Sequence, residues 1–242
     1  MSRIDSGAAT HIGRRQNNED SYLRKPELGV FAVADGLGGH EGGEVASQLV
    51  VTTVGDFLAS RLAGSPDAAS GEEDLLQQAV RLAHHEVQNQ QVGKLSTMAS
   101  TITVVLLQGR EARVCNLGDS RTFLLRRGEV RRLTRDHTVL TEMQEAGIDT
   151  STPFALRHRN SLTGAVGMED SVEPESTRAT VEPGDMLLLA SDGLYEPVPP
   201  ELMLEQLARG GTMQEMVERL VTLAYDRGGT DNITGVLVRV LE

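Results

Sequence analysis

Apolar residues recur at steps of three and four along three stretches of the chain, and this spacing predicts amphipathic helices. The stretches cover residues 41–63, 72–91 and 212–227. The third begins with the capping-box pair Thr212 and Glu215, and Gly228 stands at its end, where a left-handed residue commonly terminates a helix. Three long helices are therefore expected.

Shorter apolar runs rich in β-branched residues predict strands. They cover residues 29–34, 101–107, 112–117, 120–126, 185–190 and 232–240. The strands between 101 and 133 follow one another through tight turns, which favours antiparallel pairing over helix crossovers. Because long helices flank these strands on both sides, the pattern predicts an α+β sandwich with sheets inside and helices outside.

The size and composition of the chain fit one sizeable core. It has 242 residues, 39% of them hydrophobic, and no convincing linker, so a single domain over 1–242 is expected. No apolar run approaches the roughly 18 residues of a membrane span, and residues 1–15 lack the apolar segment of a signal peptide. The lone Cys115 lies in an apolar alternation, which predicts a buried thiol. These features favour a reducing, cytoplasmic setting without a membrane.

The net charge of −12 argues against nucleic acid as a partner, because a phosphate backbone is bound mainly through Lys and Arg. The basic stretch 121–135 is interpreted as two strands around the turn at 126–129, with arginines on solvated faces. A local role in binding phosphate-bearing partners stays open for it.

Four aspartates share one placement, at the edge of an apolar strand and next to glycine or a small turn. They are Asp35 in FAVADG, Asp119 in CNLGDS, Asp192 in LLLASDG and Asp231 in GGTDNIT. A single such aspartate usually caps its own turn. Four of them indicate strand ends that converge, where two ionised carboxylates about 5 Å apart repel by roughly 3 kcal/mol. Protons or metal ions must then neutralise the cluster.

The residue types restrict which metal could bind. The six histidines show no zinc-site spacing, and one cysteine cannot form a thiolate site, so oxygen ligands for Mg²⁺ or Mn²⁺ are expected. The glycines after Asp35 do not form a dinucleotide fingerprint, because Glu41 takes the place of its last glycine, nor a P-loop, because Glu44 replaces the lysine. Asp35 is therefore expected to bind metal, with glycines that let the backbone turn and offer a carbonyl oxygen.

The ordered motifs GRRQNNED, VADGLGGHEGGEVAS, GDSR, DHT, SDGL and GGTDNIT resemble those of the metal-dependent Ser/Thr protein phosphatases of the PPM (PP2C) family, in their compact bacterial form. The resemblance runs from about residue 6 to the end of the chain. It implies a four-layer α-β-β-α sandwich, two antiparallel sheets flanked by helix pairs. It also implies hydrolysis of phosphoserine and phosphothreonine in proteins, reversing Ser/Thr kinase signalling. The implied partners are phosphorylated proteins, including a cognate kinase or its substrates, and a monomer is expected.

The resemblance also implies the metal ligands. Asp35 would bridge two Mn²⁺ or Mg²⁺ ions, and the carbonyl of Gly36 would bind one of them. Asp192 and Asp231 would ligate the other ion. Asp119 matches the residue that holds a third, weaker metal in bacterial members.

The remaining roles follow from the same resemblance. Glu19 and Asp20 would orient metal-bound waters, and Arg15 matches the arginine that grips the substrate phosphate. A bridging water would attack phosphorus in line. His40 is the candidate donor of a proton to the leaving oxygen, with the alternative that it only ties the glycine loop together.

The chain departs from the family pattern in two places. Residues 98–103, MASTIT, replace a common glycine-threonine-threonine run, and Gly164 takes the place of a frequent arginine. A flap that shapes substrate access is expected over about 138–163, and His137 of the DHT motif precedes it. The loss of the arginine affects the expected substrate preference and leaves the metal core intact.

Two other functions are consistent with the same residues. One is a pseudophosphatase that binds phosphoproteins without turnover. The other is a switch phosphatase for an anti-sigma-factor antagonist, although such enzymes usually carry an attached sensor domain.

Overall fold

The computed structural model describes residues 4–38, 42–64, 74–168 and 173–241. His40 and Glu41 lie outside these ranges. The strands, in chain order, are β1 (Ile4–His11), β2 (Asp20–Lys25), β3 (Val30–Leu37), β4 (Ala99–Ser100), β5 (Ile102–Gln108), β6 (Glu111–Leu117), β7 (Arg121–Arg126), β8 (Glu129–Arg132), β9 (Glu175–Thr180), β10 (Met186–Ala190) and β11 (Ile233–Val240). They form two antiparallel sheets. One has the order β1-β11-β10-β7-β8, and the other has the order β2-β3-β5-β6-β9 with β4 paired to β3.

The helices, in chain order, are α1 (Gly42–Gly64), α2 (Leu75–Asn89), α3 (Val139–Glu145), α4 (Pro153–His158), α5 (Asp192–Tyr195), α6 (Pro200–Ala208) and α7 (Met213–Asp226). The capping box predicted at the start of α7 forms, with Thr212 and Glu215 each bonding to the other's backbone. The predicted left-handed end at Gly228 is wrong by one residue, since Gly229 has φ +56° and Gly228 has φ +153°. The N–H of Gly228 still donates to the Tyr225 carbonyl, so the chain turns away one residue later.

The strands between 101 and 133 pair antiparallel in part. β5 pairs with β6, and β7 pairs with β8, as the tight turns predict. β6 and β7 belong to different sheets, so the expectation that each strand pairs with the next is wrong there. The chain crosses between the sheets at Gly118, whose φ of +106° lies outside the range that β-branched residues adopt.

The inner strands β3, β5, β10 and β11 are buried along almost their whole length, which explains why they read as apolar runs. In β3, Phe31 and Val33 contribute to the core between the sheets, whereas Val30, Ala32 and Ala34 pack under α1 and α2. A third apolar cluster joins the other sheet to α5, α6 and α7. The four-layer α-β-β-α order expected from the family resemblance is confirmed.

Several elements carry no clear signal in the sequence. β1 reads IDSGAATH, which is poor in strand-forming residues, and it is held by eight register pairs with β11. α5 has four residues and α4 has six, too few for a periodic pattern. Among the described residues, no helix has both the length and the apolar character needed to cross a bilayer.

Residues 138–163, here called the flap segment, leave the sandwich and return beside their starting point. They contain α3 and α4. An isolated bridge joins Thr138 to Leu162, and the N–H of Val139 donates to the Ser161 carbonyl at 2.9 Å. The large apolar side chains that the segment exposes are Ile148, Phe154 and Leu156.

Candidate active site

The sheet register brings the acidic strand ends to one edge of the sandwich. In one sheet, Asp20 at the start of β2 lies opposite Asp35 near the end of β3. In the other, β10 and β11 are antiparallel neighbours, with Ala190 opposite Gly235. Asp192 lies two residues after the last residue of β10 and Asp231 two residues before the first residue of β11, so these two aspartates lie at the same end of their strand pair.

Asp20 connects the two sheets at this edge. Its side chain is buried, and Oδ2 accepts a 2.8 Å hydrogen bond from the Ser191 hydroxyl. The same Ser191 oxygen accepts the N–H of Thr234 at 3.0 Å. Burial raises the pKa of Asp20 to about 7. Hydrogen bonds with the side chains of Thr234 and Ser191 oppose the rise, and the carboxylates of Asp192 and Asp231 add to it. The site therefore lies between the sheets, not on the outer face of either.

The other aspartates perturb one another in the same way. Burial raises the pKa of Asp35 well above its ordinary value, and Asp20, Asp192, Asp119 and Asp231 raise it further, in that order. Burial followed by Asp192 raises the pKa of Asp119 to about 7. Burial followed by Asp231 raises the pKa of Asp192 to about 6. The structure thus brings all four strand-end aspartates, together with Asp20, into one interacting group.

The donor set fits a hard divalent cation by its chemistry. Buried Oδ1 atoms of Asp20 and Asp192 have no hydrogen-bond partner in the described part of the chain, so the group holds more acceptors than protein donors. A hydrogen bond between Asp35 and Asp192 requires that one of the two carboxyls carry a proton. Within the described ranges, no three or more Asp, Glu, His or Cys side chains are arranged closely enough to hold a metal ion by themselves. Asp231 instead bonds to Arg15 and to the N–H of Asn232.

The glycines after Asp35 are required by close backbone contact. A Cβ on Gly36 would lie 2.1 Å from the carbonyl oxygen of Gly43 and 2.6 Å from that of Glu19. A Cβ on Gly43 would lie 2.3 Å from a carboxylate oxygen of Glu19. Burial raises the pKa of Glu19, and the Arg15 guanidinium opposes that rise. Three chain segments therefore meet beside Asp35 with no room for a side chain between them.

Arg15 reaches the acidic group from the loop that follows β1. Its Nη2 donates to Asp231 Oδ2 at 2.6 Å, and its Nε donates to the Thr230 carbonyl at 3.2 Å. The side chain is 56% exposed, so the guanidinium lies at the mouth of the site. Arg15 and Glu19 thus join the five aspartates, whereas His40 lies outside the described residues.

Asn232 is a polar residue of the site that motif reading missed. It is buried, its Oδ1 accepts the N–H of Glu19 at 2.8 Å, and its Nδ2 donates to the carbonyls of Ile12 and Asn17 at 2.9 Å each. It therefore fixes the loop that carries Arg15 to the start of β11. Its only signal in the sequence is its place directly after Asp231.

Two cavities open beside the aspartates. One, of about 370 Å³, has Asp119, Arg121 and Arg159 in its lining, and the other, of about 460 Å³, has Asp192 and Asp231. Asn160 of the flap segment and Glu196 line both cavities, and their side chains form a 3.3 Å hydrogen bond. The flap segment therefore borders the site on two sides.

The arginines of the basic stretch 121–135 are largely paired with acids. Their ion pairs are Arg121–Asp136, Arg126–Asp185, Arg127–Glu182, Arg132–Asp136 and Arg135–Glu145. Arg121 also stacks on Tyr195 at 3.8 Å. Most of the positive charge in this stretch is therefore balanced within the chain, which weakens its case as a separate phosphate-binding patch.

Comparisons with known proteins agree with this geometry. The family model described as protein phosphatase 2C matches residues 8–237. The chain is 36% identical to the serine/threonine protein phosphatase PstP of Mycobacterium tuberculosis, over 94% of this chain and 43% of that protein, so it spans less than half of that relative. It is 32% identical to the serine/threonine phosphatase Stp of Listeria monocytogenes, over 98% of this chain and 93% of that protein. The crystal structure of the PstP catalytic domain with two manganese ions matches with a TM-score of 0.83, 34% identity and 99% of each chain.

Proposed function

Because the chain belongs to the protein phosphatase 2C family, we propose that it hydrolyses phosphoserine and phosphothreonine in proteins with bound Mn²⁺ or Mg²⁺. The observation that carries the proposal is the group of five mutually repelling aspartates at one edge between the sheets: Asp20, Asp35, Asp119, Asp192 and Asp231. Divalent cations relieve that repulsion, and they are also what a dianionic phosphomonoester needs before water can approach it.

The metal ligands are assigned from the family motifs. Asp35, the Gly36 carbonyl, Asp192 and Asp231 would hold two core ions, and Asp119 would hold a third. The structure of PstP with two manganese ions supports a two-ion core. When bound, the ions neutralise phosphoryl oxygens and lower the pKa of the attacking water.

The remaining residues bind and orient. Glu19 and Asp20 accept hydrogen bonds from water at the site and so fix the orientation of that water. Arg15 offers a planar fork of donors that matches phosphate, and its exposed position beside Asp231 suits an incoming substrate. On the sequence motif alone, His40 is assigned as the residue that donates a proton to the leaving oxygen.

The substrates are proteins phosphorylated by a Ser/Thr kinase, including that kinase or its targets, and the protein acts as a cytoplasmic monomer with one domain and a flap over 138–163. Burial raises the pKa of the Cys115 thiol to about 12, so this thiol stays protonated and unreactive.

Hydrolysis of p-nitrophenyl phosphate and of a phosphothreonine peptide, with and without Mn²⁺, tests the proposal. We expect turnover that depends on the metal and is lost in Asp35→Asn. Absence of metal-dependent turnover, or full turnover of Asp35→Asn, overturns it. Calorimetry with Mn²⁺ separates the binding-module alternative, which predicts tight metal binding without hydrolysis.

A further inference from the structure

His137, the histidine of the DHT motif, lies at a junction beside the candidate site. Its side chain is 1% exposed. Two hydrogen bonds join it to Gly118: its backbone N–H donates to the Gly118 carbonyl at 3.0 Å, and the Gly118 N–H donates to its ring Nδ1 at 3.0 Å. Gly118 directly precedes Asp119 and has φ +106°, so this pair fixes the direction in which the chain reaches Asp119.

The same residue holds both ends of the flap segment. His137 directly precedes the segment, and its carbonyl accepts the N–H of Thr163, the last residue of the segment, at 2.9 Å. The bridge from Thr138 to Leu162 continues this pairing by one step. A single buried residue is therefore bonded to the turn before Asp119 and to the base of the flap segment.

The hydrogen bonds define the tautomer of the ring. Because Nδ1 accepts from Gly118, the neutral ring carries its proton on Nε2. Nε2 is buried 3.5 Å from Glu175 Oε1 and makes no hydrogen bond within the described ranges. Burial lowers the pKa of His137 although Glu175 opposes the change, and the neutral ring keeps Nδ1 available as an acceptor.

We propose that His137 is a positioning residue whose Nδ1 couples the flap segment to the turn that presents Asp119. Loss of that acceptor leaves the Gly118 N–H unpaired in the interior and loosens the turn and the flap base together. The consequence for catalysis rests on the proposed phosphatase function, whereas the coupling does not.

Hydrogen exchange on the metal-free protein tests the coupling without any turnover. In His137→Leu, exchange at Gly118 and at the base of the flap segment should be about tenfold faster or more, since an unpaired buried N–H is costly. In His137→Asn, Oδ1 lies as many bonds from Cα as Nδ1 does, so exchange should stay near the wild-type rate. His137→Gln moves the acceptor one bond farther and should behave like Leu, and it replaces the Leu variant if that one does not fold.

The chain offers a matched control in His84, whose Nδ1 likewise accepts a glycine N–H, from Gly167 at 3.1 Å. His84→Leu should leave exchange at Gly118 unchanged. Wild-type exchange at Gly118 in both His137→Leu and His137→Gln overturns the proposal, and so does an Asn variant that matches Leu.

Steady-state kinetics distinguish this coupling from a purely structural role, which would not change KM for one substrate selectively. In the Leu and Gln variants, KM for a phosphothreonine peptide should rise severalfold while KM for p-nitrophenyl phosphate changes little, and Asn should restore the peptide value. Loss of kcat alone, equal on both substrates, overturns the coupling to substrate binding. If no variant or wild type shows turnover, the proposed function fails and the exchange results still decide the role of His137.

Discussion

Asp20 lies directly opposite Asp35 across the antiparallel pair of β2 and β3, which places two carboxyls side by side on one face of a sheet. Like charges in this relation destabilise a sheet unless a proton or a cation separates them. The Ser191 hydroxyl donates to Asp20 and accepts the N–H of Thr234 in the other sheet, so the pair lies between the sheets.

The metal-free protein should lose stability as the pH rises. Asp20, Asp119 and Asp192 have pKa values of about 7, 7 and 6 in the folded state, above the ordinary value of 3.8. A carboxyl whose pKa is raised by folding stabilises the folded state below its unfolded pKa, and that contribution is lost as the pH passes the folded pKa. Between pH 6 and 8 in a chelator, Tm should fall by on the order of 5 °C.

Added Mn²⁺ should reverse that trend, because cations compete with protons for the same oxygens. Burial lowers the pKa values of His84 and His137, so these two residues make the folded state more stable as the pH rises. Their effect falls mainly below about pH 6.5, outside most of the tested range. A Tm in chelator that rises steadily from pH 6 to 8 would contradict the proposed cluster.

Replacing Asp35 by Asn should stabilise the metal-free protein while it abolishes turnover. One of several mutually repelling carboxylates is removed, so the free energy of unfolding should rise by about 1 kcal/mol at pH 8. Activity with Mn²⁺ should fall at least about a hundredfold, since a core ligand is lost. Urea unfolding in chelator and phosphopeptide hydrolysis measure the two effects.

Asp185 is the matched control, a buried aspartate with the opposite electrostatics. Burial raises its pKa, but hydrogen bonds from Arg126 and from the Glu182 N–H more than offset this and lower it. Asp185→Asn should therefore destabilise the protein by about 2 kcal/mol and leave the apparent Mn²⁺ affinity unchanged. If both substitutions lowered the free energy of unfolding, Asp35 would not be repelled by its neighbours.

Gly36→Ala should damage the site, because the new Cβ would lie 2.1 Å from the Gly43 carbonyl oxygen. Moving backbone costs about 1–3 kcal/mol of stability, and the displaced carbonyl of residue 36 should weaken activation by Mn²⁺. In Gly55→Ala, within α1, the new Cβ meets the ends of two flexible side chains, Leu23 at 3.1 Å and Lys25 at 3.4 Å. That control should be neutral or stabilise the helix by up to about 1 kcal/mol. Thermal melts and Mn²⁺ titrations of activity compare the two.

Asn232→Asp should release the loop that carries Arg15. The carboxylate cannot donate to the carbonyls of Ile12 and Asn17, which Nδ2 contacts in the native protein. Stability should fall by about 2–3 kcal/mol, and KM should rise more than kcat falls. Asn18→Asp is the control. Asn18 lies in the same loop, its Nδ2 donates to Thr10 in an exposed hydrogen bond, and its replacement should change KM little.

Arg15→Lys should lower kcat/KM about tenfold or more, because an ammonium cannot reproduce the fork of donors that a guanidinium offers to phosphate. The neighbouring Arg14 is exposed, and Arg14→Lys should leave kcat/KM within about twofold. Both variants are compared on the same phosphopeptide with saturating Mn²⁺. If both variants lost kcat/KM equally, Arg15 would have no special role in binding phosphate.

Most of the fold could be predicted from the sequence, because its main elements carry local patterns. α7 has an apolar stripe and a capping box, and the buried strands are continuous apolar runs. β1 could not be predicted, since its backbone is held by β11, which lies more than 200 residues away. α5 and α4 could not be predicted for a different reason, since they are too short to show a helical period.

The candidate site divides in the same way. The order of residues indicates which groups are available: aspartates at strand ends, glycines beside Asp35 and an arginine before Glu19. Their types alone indicated an oxygen-ligand metal site. Three relations became visible in the folded chain: Asp20 lies opposite Asp35, Asn232 holds the Arg15 loop, and His137 joins the flap segment to Gly118. Those relations depend on sheet register and on hydrogen bonds between distant segments, which no local pattern encodes.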